Sequence, residues 1–164
     1  SRRQRQMCIR DSDYIVEESV ESAVADKSRV IVDYGTEEKR AMYADEGWLA
    51  EAFINIISNS YEYICDREDG RVYIDISSNN EVCIIKISDN GEGIDKAHLA
   101  GVFDRFEGKS SQNEFHAGIG LNLSKLIIEA HHGSIKAANS EKYGGAEFRI
   151  LLPLYKLKGK VGHS

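Results

Sequence analysis

The run Ile87-Ser88-Asp89-Asn90-Gly91-Glu92-Gly93-Ile94 sits at the end of a strand pattern. The residues leading into it, Glu81-Val-Cys-Ile-Ile-Lys-Ile-Ser88, alternate so that Cys83, Ile85 and Ile87 share one face. Asp89 continues that apolar row, where a carboxylate is costly to desolvate unless donors meet it. Gly91 and Gly93 then let the backbone approach a ligand closely or adopt positive φ. The same residues also read as a hairpin turn, because Asn-Gly is a strong turn signal. A calcium loop fits less well, since it wants an oxygen ligand where Gly91 sits. The rest of the chain has to decide between a turn and a ligand site.

With 164 residues the chain suffices for one domain with a sizeable core. Its 41% hydrophobic and 29% charged residues describe a soluble globular protein. No apolar run approaches the roughly 20 residues that span a bilayer, and no signal-peptide pattern is present. A net charge of -6 argues against a general nucleic-acid binder. Cys8, Cys65 and Cys83 are odd in number and widely spaced, which fits a reducing compartment and forms no zinc pattern.

Working outward, the first ten residues are basic and polar and read as a solvated tail or the frayed end of a preceding helix. From Asp13 the spacing of Ile15, Val16, Ser19, Val20 and Ala23 predicts a helix, with Asp11, Ser12 and Asp13 as candidate caps. Short strands are expected over Arg29–Tyr34 and Arg40–Tyr43. A longer helix, from about Asp45 to Ile64, buries Leu49, Ala52, Phe53, Ile56, Ser60 and Ile64. A second stripe on it carries Glu51, Asn55 and Asn59, and asparagine is a mediocre helix former. That stripe reads either as a solvated face or as oxygens converging on a hard cation and its phosphates. Arg71–Ser77 and Glu81–Ser88 read as an antiparallel hairpin, and Asp95 caps a short helix to Ala100. Apolar periodicity vanishes from Glu107 to Phe115, which predicts a mobile loop. His116-Ala-Gly-Ile-Gly120 then opens a helix with the core face Leu123, Leu126, Ile127 and Ala130. Glycines opening a helix present free N–H groups and the positive dipole end to an anion, or they are only a flexible loop. Strands near Ser134–Asn139 and Ala146–Leu152 follow, with Pro153 as the stop and Lys156–Ser164 as a loose basic tail.

Taken in order, these pieces resemble the ATP-binding domain of histidine kinases. Glu51-x3-Asn55-x3-Asn59 resembles its N box, Asp89-Asn-Gly-Glu-Gly93 its first glycine box, and Phe103-Asp-Arg-Phe106 its F box. Gly118-Ile-Gly-Leu121 resembles the second glycine box, and Gly144-Gly-Ala-Glu-Phe148 the Gly-Gly-x-x-Phe that closes the domain. Five boxes in order are specific where any single one is not. The resemblance implies an α+β fold: a two-layer α/β sandwich with a mixed, mostly antiparallel sheet covered on one face by helices. Residues 13–154 would form that domain, 1–12 a remnant of the connection to a dimerisation hairpin carrying the phosphoacceptor histidine, and 155–164 the tail.

By the same resemblance Asp89 accepts the adenine amine, Tyr63 and Ile94 line the adenine pocket, and Gly91, Gly93 and Phe106 belong to the nucleotide-binding set. Asn55 and Asn59 hold Mg²⁺ with the phosphates, Glu51 and Asn55 take the catalytic positions, and Lys109 contacts phosphate from a lid over Glu107–Ala117. Gly118, Ile119, Gly120 and Leu121 supply backbone N–H groups. Glu62 departs from the pattern, standing where relatives often carry a basic residue. The hairpin itself is not in this sequence. The implied reaction is therefore a half-reaction: a monomeric, cytoplasmic piece of a membrane sensor that binds Mg-ATP and phosphorylates a histidine elsewhere, ahead of a response regulator. A gyrase-like or Hsp90-like ATPase clamp, an anti-sigma-factor serine kinase and a binding-only scaffold are the competing readings.

Overall fold

The computed structural model describes residues 6–35, 40–104 and 112–156, with backbone alone over 112–119. Chain order is β1 (Met7–Asp11), α1 (Ser12–Ala23), a 3-10 turn (Lys27–Arg29), β2 (Val30–Asp33), β3 (Ala41–Asp45) and α2 (Glu46–Ile64). There follow β4 (Val72–Ser78), β5 (Val82–Asp89), α3 (Lys96–Leu99), α4 (Gln112–Ala130), β6 (Ser134–Asn139) and β7 (Ala146–Pro153). Five strands form one sheet in the order β2-β4-β5-β7-β6. Only β2 runs parallel to its neighbour, β4, and every other pair in the sheet is antiparallel. The expected mixed, mostly antiparallel sheet is thus present.

Strand alternation decides which side the helices cover. Val72, Ile74 and Ile76 of β4, Cys83, Ile85 and Ile87 of β5, and Phe148, Ile150 and Leu152 of β7 are buried together. Against them pack Ile15, Val16 and Val20 of α1 and Leu49, Phe53, Ile56 and Ile64 of α2. Each such side chain contributes about 1.5–3 kcal/mol on burial. The opposite face carries a polar row, Asp33, Asp75, Lys86, Arg149 and Lys136, in register across the five strands. Like charges facing each other there cost little only because the row is solvated. Arg40, by contrast, is a buried charged group. Its guanidinium is buried, pairs with Asp13 at 2.9 Å, and donates to the Tyr34 carbonyl, tying α1 to the sheet.

Several expectations are corrected. Met7–Asp11 is not a tail but a strand, paired antiparallel with β3 in a separate ribbon, Ile9 opposite Tyr43. Asp11 then caps α1, its side chain accepting from Asp13 N–H, an arrangement worth about 1 kcal/mol. Asp95 occupies the cap position of α3 without a side-chain hydrogen bond. On α4 the buried residues are Leu121, Ser124, Ile127 and Ile128, whereas Leu126 is 56% exposed. Pro153 ends β7 opposite Val82, where the next bond to β5 is made by Leu154 N–H to the Glu81 carbonyl, so the proline costs no sheet bond. Most consequential, α4 begins at Gln112, so the second half of the predicted loop is helix. Gln, Asn, Glu and Phe there are acceptable helix formers, which composition had masked. No helix among the described residues is long and apolar enough to cross a membrane.

Candidate functional site

Asp89 is a buried carboxylate held by backbone N–H groups. It ends β5 at 2% exposure, on the row that Cys83, Ile85 and Ile87 begin. Its Oδ1 accepts from Gly91 N–H at 2.8 Å and from Ala146 N–H at 3.3 Å. Its backbone oxygen accepts from Gly145 N–H at 2.9 Å. The other carboxylate oxygen, Oδ2, is buried and accepts from no described residue. Burial pushes the Asp89 carboxyl above its usual pKa, against the opposing pull of the Gly91 and Ala146 N–H groups and of Arg67. A buried acceptor with one oxygen committed and one unsatisfied is built for a donor that the protein does not supply.

Close packing holds this corner. A Cβ on Gly145 would fall on Asp89 Oδ1 and the Asp89 carbonyl, so no other residue fits behind the carboxylate. Gly93 has φ +87°, and a Cβ there would lie 2.8 Å from Asn139 Oδ1. The β6–β7 connection, which carries Gly145, is fixed from outside. Tyr143 stacks on Tyr73 at 3.8 Å between centroids, and its hydroxyl reaches Asp75 at 3.3 Å. Asn90 fastens the near side, accepting from Arg71 N–H at 2.8 Å and donating to the Asp69 carbonyl at 2.8 Å.

Helix α2 forms the long wall. Its last turn meets the glycine loop, since a Cβ on Gly91 would lie 3.3 Å from Ile64 and 3.7 Å from the Tyr63 carbonyl. Eight residues earlier, about 12 Å along the axis, Asn55 meets α4: its Nδ2 lies 3.5 Å from the Gly120 carbonyl. Asn55 and Asn59 are half-buried one turn apart on this face, and Glu51 is exposed at its start. Ser124 fixes the α2–α4 contact by donating to the Ala52 carbonyl at 3.0 Å.

The structure therefore brings Asp89, Gly91, Gly93 and Ile94 into one corner and Asn55 against Gly120. Tyr63 is 58% exposed, and its carbonyl reaches the corner. Gly118, Ile119, Gly120 and Leu121 lie inside α4, not ahead of it, so their N–H groups belong to the helix ladder. Phe106 and Lys109 lie outside the described residues. Phe103, its companion in the F box, packs edge-on to Phe148 at 6.1 Å and accepts through its carbonyl from Asn122 Nδ2 at 2.8 Å. Sequence reasoning missed Asn139 and His131. An asparagine at a strand end signals a turn, and only the fold shows it reaching Ile94. His131, just past α4, is buried and accepts from Asp45 N–H through Nε2 at 3.1 Å.

Comparison with known proteins agrees with this geometry. Residues 44–156 match the family model described as histidine kinase-, DNA gyrase B- and HSP90-like ATPase. The chain belongs to that family. The sensor protein ChvG of Agrobacterium fabrum is 31% identical over 140 residues, covering 77% of this chain and 23% of the relative. A mycobacterial sensor histidine kinase, MprB, superposes with a TM-score of 0.75 at 20% identity, covering 93% of this chain and 100% of that one. Full-length ShkA, solved in complex with AMPPNP, superposes with a TM-score of 0.73 at 20% identity, covering 96% of this chain and 33% of its own. The chain spans about a quarter of the length of the curated relatives it matches.

As an ATP-binding member of this ATPase family, the domain offers a donor set that suits the nucleotide. The free Oδ2 of Asp89 matches an exocyclic amine. Asn55 and Asn59 offer amide oxygens, the hard donors that Mg²⁺ accepts beside phosphate oxygens. Among the described residues no cluster of three His, Cys, Asp or Glu could hold a metal without that help.

Proposed function

We propose that this domain is the catalytic part of a sensor histidine kinase: it binds Mg-ATP and presents the γ-phosphoryl group to a histidine on a dimerisation hairpin of a longer protein. ATP supplies the transferred group, and the imidazole nitrogen displaces ADP from it. The chain's own residues position and shield. Asp89 reads the adenine amine, Ile94 covers the base, Asn55 and Asn59 hold the cation, and Lys109 contacts phosphate. No covalent nucleophile is required within the domain, because phosphoryl transfer rests on positioning and electrostatics. The domain would lie on the cytoplasmic side of a membrane sensor and pass the phosphoryl group on to a response regulator.

The observation that carries this reading is Asp89 Oδ2, a buried acceptor beside the glycine loop with no described partner. The relatives' names, sensor protein and histidine kinase, support the kinase class over a clamp ATPase. Glu51 is the feature that favours the clamp, since an exposed carboxylate at the start of the asparagine stripe suits a general base for water. Calorimetric titration with ATP, with and without Mg²⁺, tests the site, and Glu51→Ala separates the classes. The kinase reading expects magnesium-enhanced binding at micromolar to millimolar Kd, about -8 to -4 kcal/mol, left largely intact by Glu51→Ala. A robust ATPase abolished by that substitution would establish the clamp.

A further inference from the structure

We propose that Asn139, at the end of β6, is a positioning residue that sets where the base lies against Asp89. The inference rests on the reading of Asp89 as the adenine acceptor. The Gly91–Ile94 loop has two anchors. At Gly91 the N–H is held by Asp89 itself at 2.8 Å. At Ile94 both backbone groups are held by one side chain: Asn139 Oδ1 accepts from Ile94 N–H at 2.7 Å, and Asn139 Nδ2 donates to the Ile94 carbonyl at 2.9 Å. A primary amide meets the N–H and C=O of one residue in this paired way, whereas a carboxylate satisfies only the N–H and an aliphatic group neither.

The surroundings are built around the same contact. Gly93 turns through φ +87° with its α-carbon so close to Asn139 that a Cβ would come within 2.8 Å of Oδ1. Asn139 is also linked covalently, through the β6–β7 connection, to Gly145 and Ala146, whose N–H groups hold Asp89. One hairpin thus fixes both the acceptor that reads the base and the loop that covers it. With the Ile94 anchor released, the loop stays tethered at Gly91 only. The base then shifts relative to Oδ2, and the amine-specific part of binding is lost before the phosphate part.

The test measures affinity of the 164-residue chain for Mg-ATP and for the Mg complex of purine riboside triphosphate, which has the same phosphates and no exocyclic amine. Wild type, Asn139→Leu and Asn139→Asp are compared, with thermal unfolding of each. Asn139→Leu should lower ATP affinity about tenfold and bring the ATP-to-analogue ratio towards one, with the analogue's own affinity little changed. Asn139→Asp, which keeps the acceptor half, should give an intermediate ratio and serves alone if the leucine variant does not fold. A role limited to stability would lower the unfolding temperature and leave the ratio at its wild-type value, and that result overturns the proposal. Hydrogen exchange at Ile94 N–H in the free chain gives a nucleotide-independent reading. Exchange no faster in Asn139→Leu than in wild type also overturns it. If wild type itself fails to prefer ATP, or Asp89→Asn keeps the preference, the base-reading assignment has failed first, and the proposal falls with it.

Discussion

The two ends of the α2 wall are built by different means. At the Asp89 end every element is held by short backbone contacts: Gly91 and Ala146 to the carboxylate, Gly145 to the Asp89 carbonyl, Asn139 to Ile94. At the asparagine end the described polar links between the walls are side-chain contacts, Asn55 to Gly120 at 3.5 Å and Ser124 to the Ala52 carbonyl at 3.0 Å, and Asn55 and Asn59 remain half-buried. Base recognition needs one fixed acceptor, so rigidity favours it. A cation and three phosphates instead bring their own charge and geometry, and amide oxygens on a helix suffice to meet them. On the proposed reading, the adenine end is set by folding and the phosphate end by what binds.

The sharpest way to break this contrast is at Gly145. A methyl group there collides with Asp89 and with Gly91 N, 2.6 Å away, so Gly145→Ala should cost at least about 3 kcal/mol of stability. Denaturant unfolding measures it, and a loss below about 1 kcal/mol would show the corner to be pliable. Asp89→Asn comes next. It leaves an amide donor facing an amine donor, so ATP affinity should fall at least about thirtyfold, roughly 2 kcal/mol, while the fold survives. Calorimetry against unchanged thermal unfolding separates the two effects.

The raised carboxyl of Asp89 adds a pH dependence with opposite signs for folding and for binding. The fold holds the Asp89 proton more tightly than the unfolded chain does. This group's contribution to stability is therefore fully present below its unfolded pKa and is lost as pH rises through the folded value. Binding to the amine needs the carboxylate, so ATP preference over purine riboside triphosphate should fall as pH drops through that same raised value, by up to about tenfold per unit. A pH-independent ratio would remove Asp89 from base reading. At the other end, Asn55→Ala or Asn59→Ala should reduce the magnesium-dependent part of ATP affinity about tenfold, with little loss of stability, because neither asparagine supports the core. Smallest of all, Glu62→Lys exchanges an exposed acid for a base and should tighten ATP binding only a few fold, within about 1 kcal/mol. An effect as large as that of Asp89→Asn would mean that the phosphate end is also preset.

Legibility in the sequence followed the range of the interaction. The period-two row Cys83, Ile85, Ile87, Asp89 and the helical stripe Leu49, Phe53, Ile56, Ile64 are local patterns, and both predict burial correctly. Strand β1 did not announce itself, since Ile9 is exposed and its partner Tyr43 lies in a distant segment. Helix α4 offers Leu121, Leu123, Leu126, Ile127 and Ile128, enough apolar residues for more than one stripe, and packing against Ala52 chose among them. Arg40 and Asn139 were invisible because their partners are 27 and 45 residues away. The chemistry-bearing boxes could be read from the chain; the clamps that hold them could not.

Asp45 has a mechanical consequence. Its Oδ1 caps α2 at Trp48 N–H, 3.2 Å, its Oδ2 receives Gln6 N–H at 3.1 Å, and its own N–H enters His131 at the end of α4. His131 in turn lies 2.9 Å from the Ile127 carbonyl through Nδ1, so its Nε2 stays a lone-pair acceptor. One residue is therefore a pivot pin for the N-terminal ribbon and both long helices. A tug on the strand at Gln6 loads the first turn of α2 and the last turn of α4 together. That chain of contacts links the ribbon to both helices without passing through the five-stranded sheet.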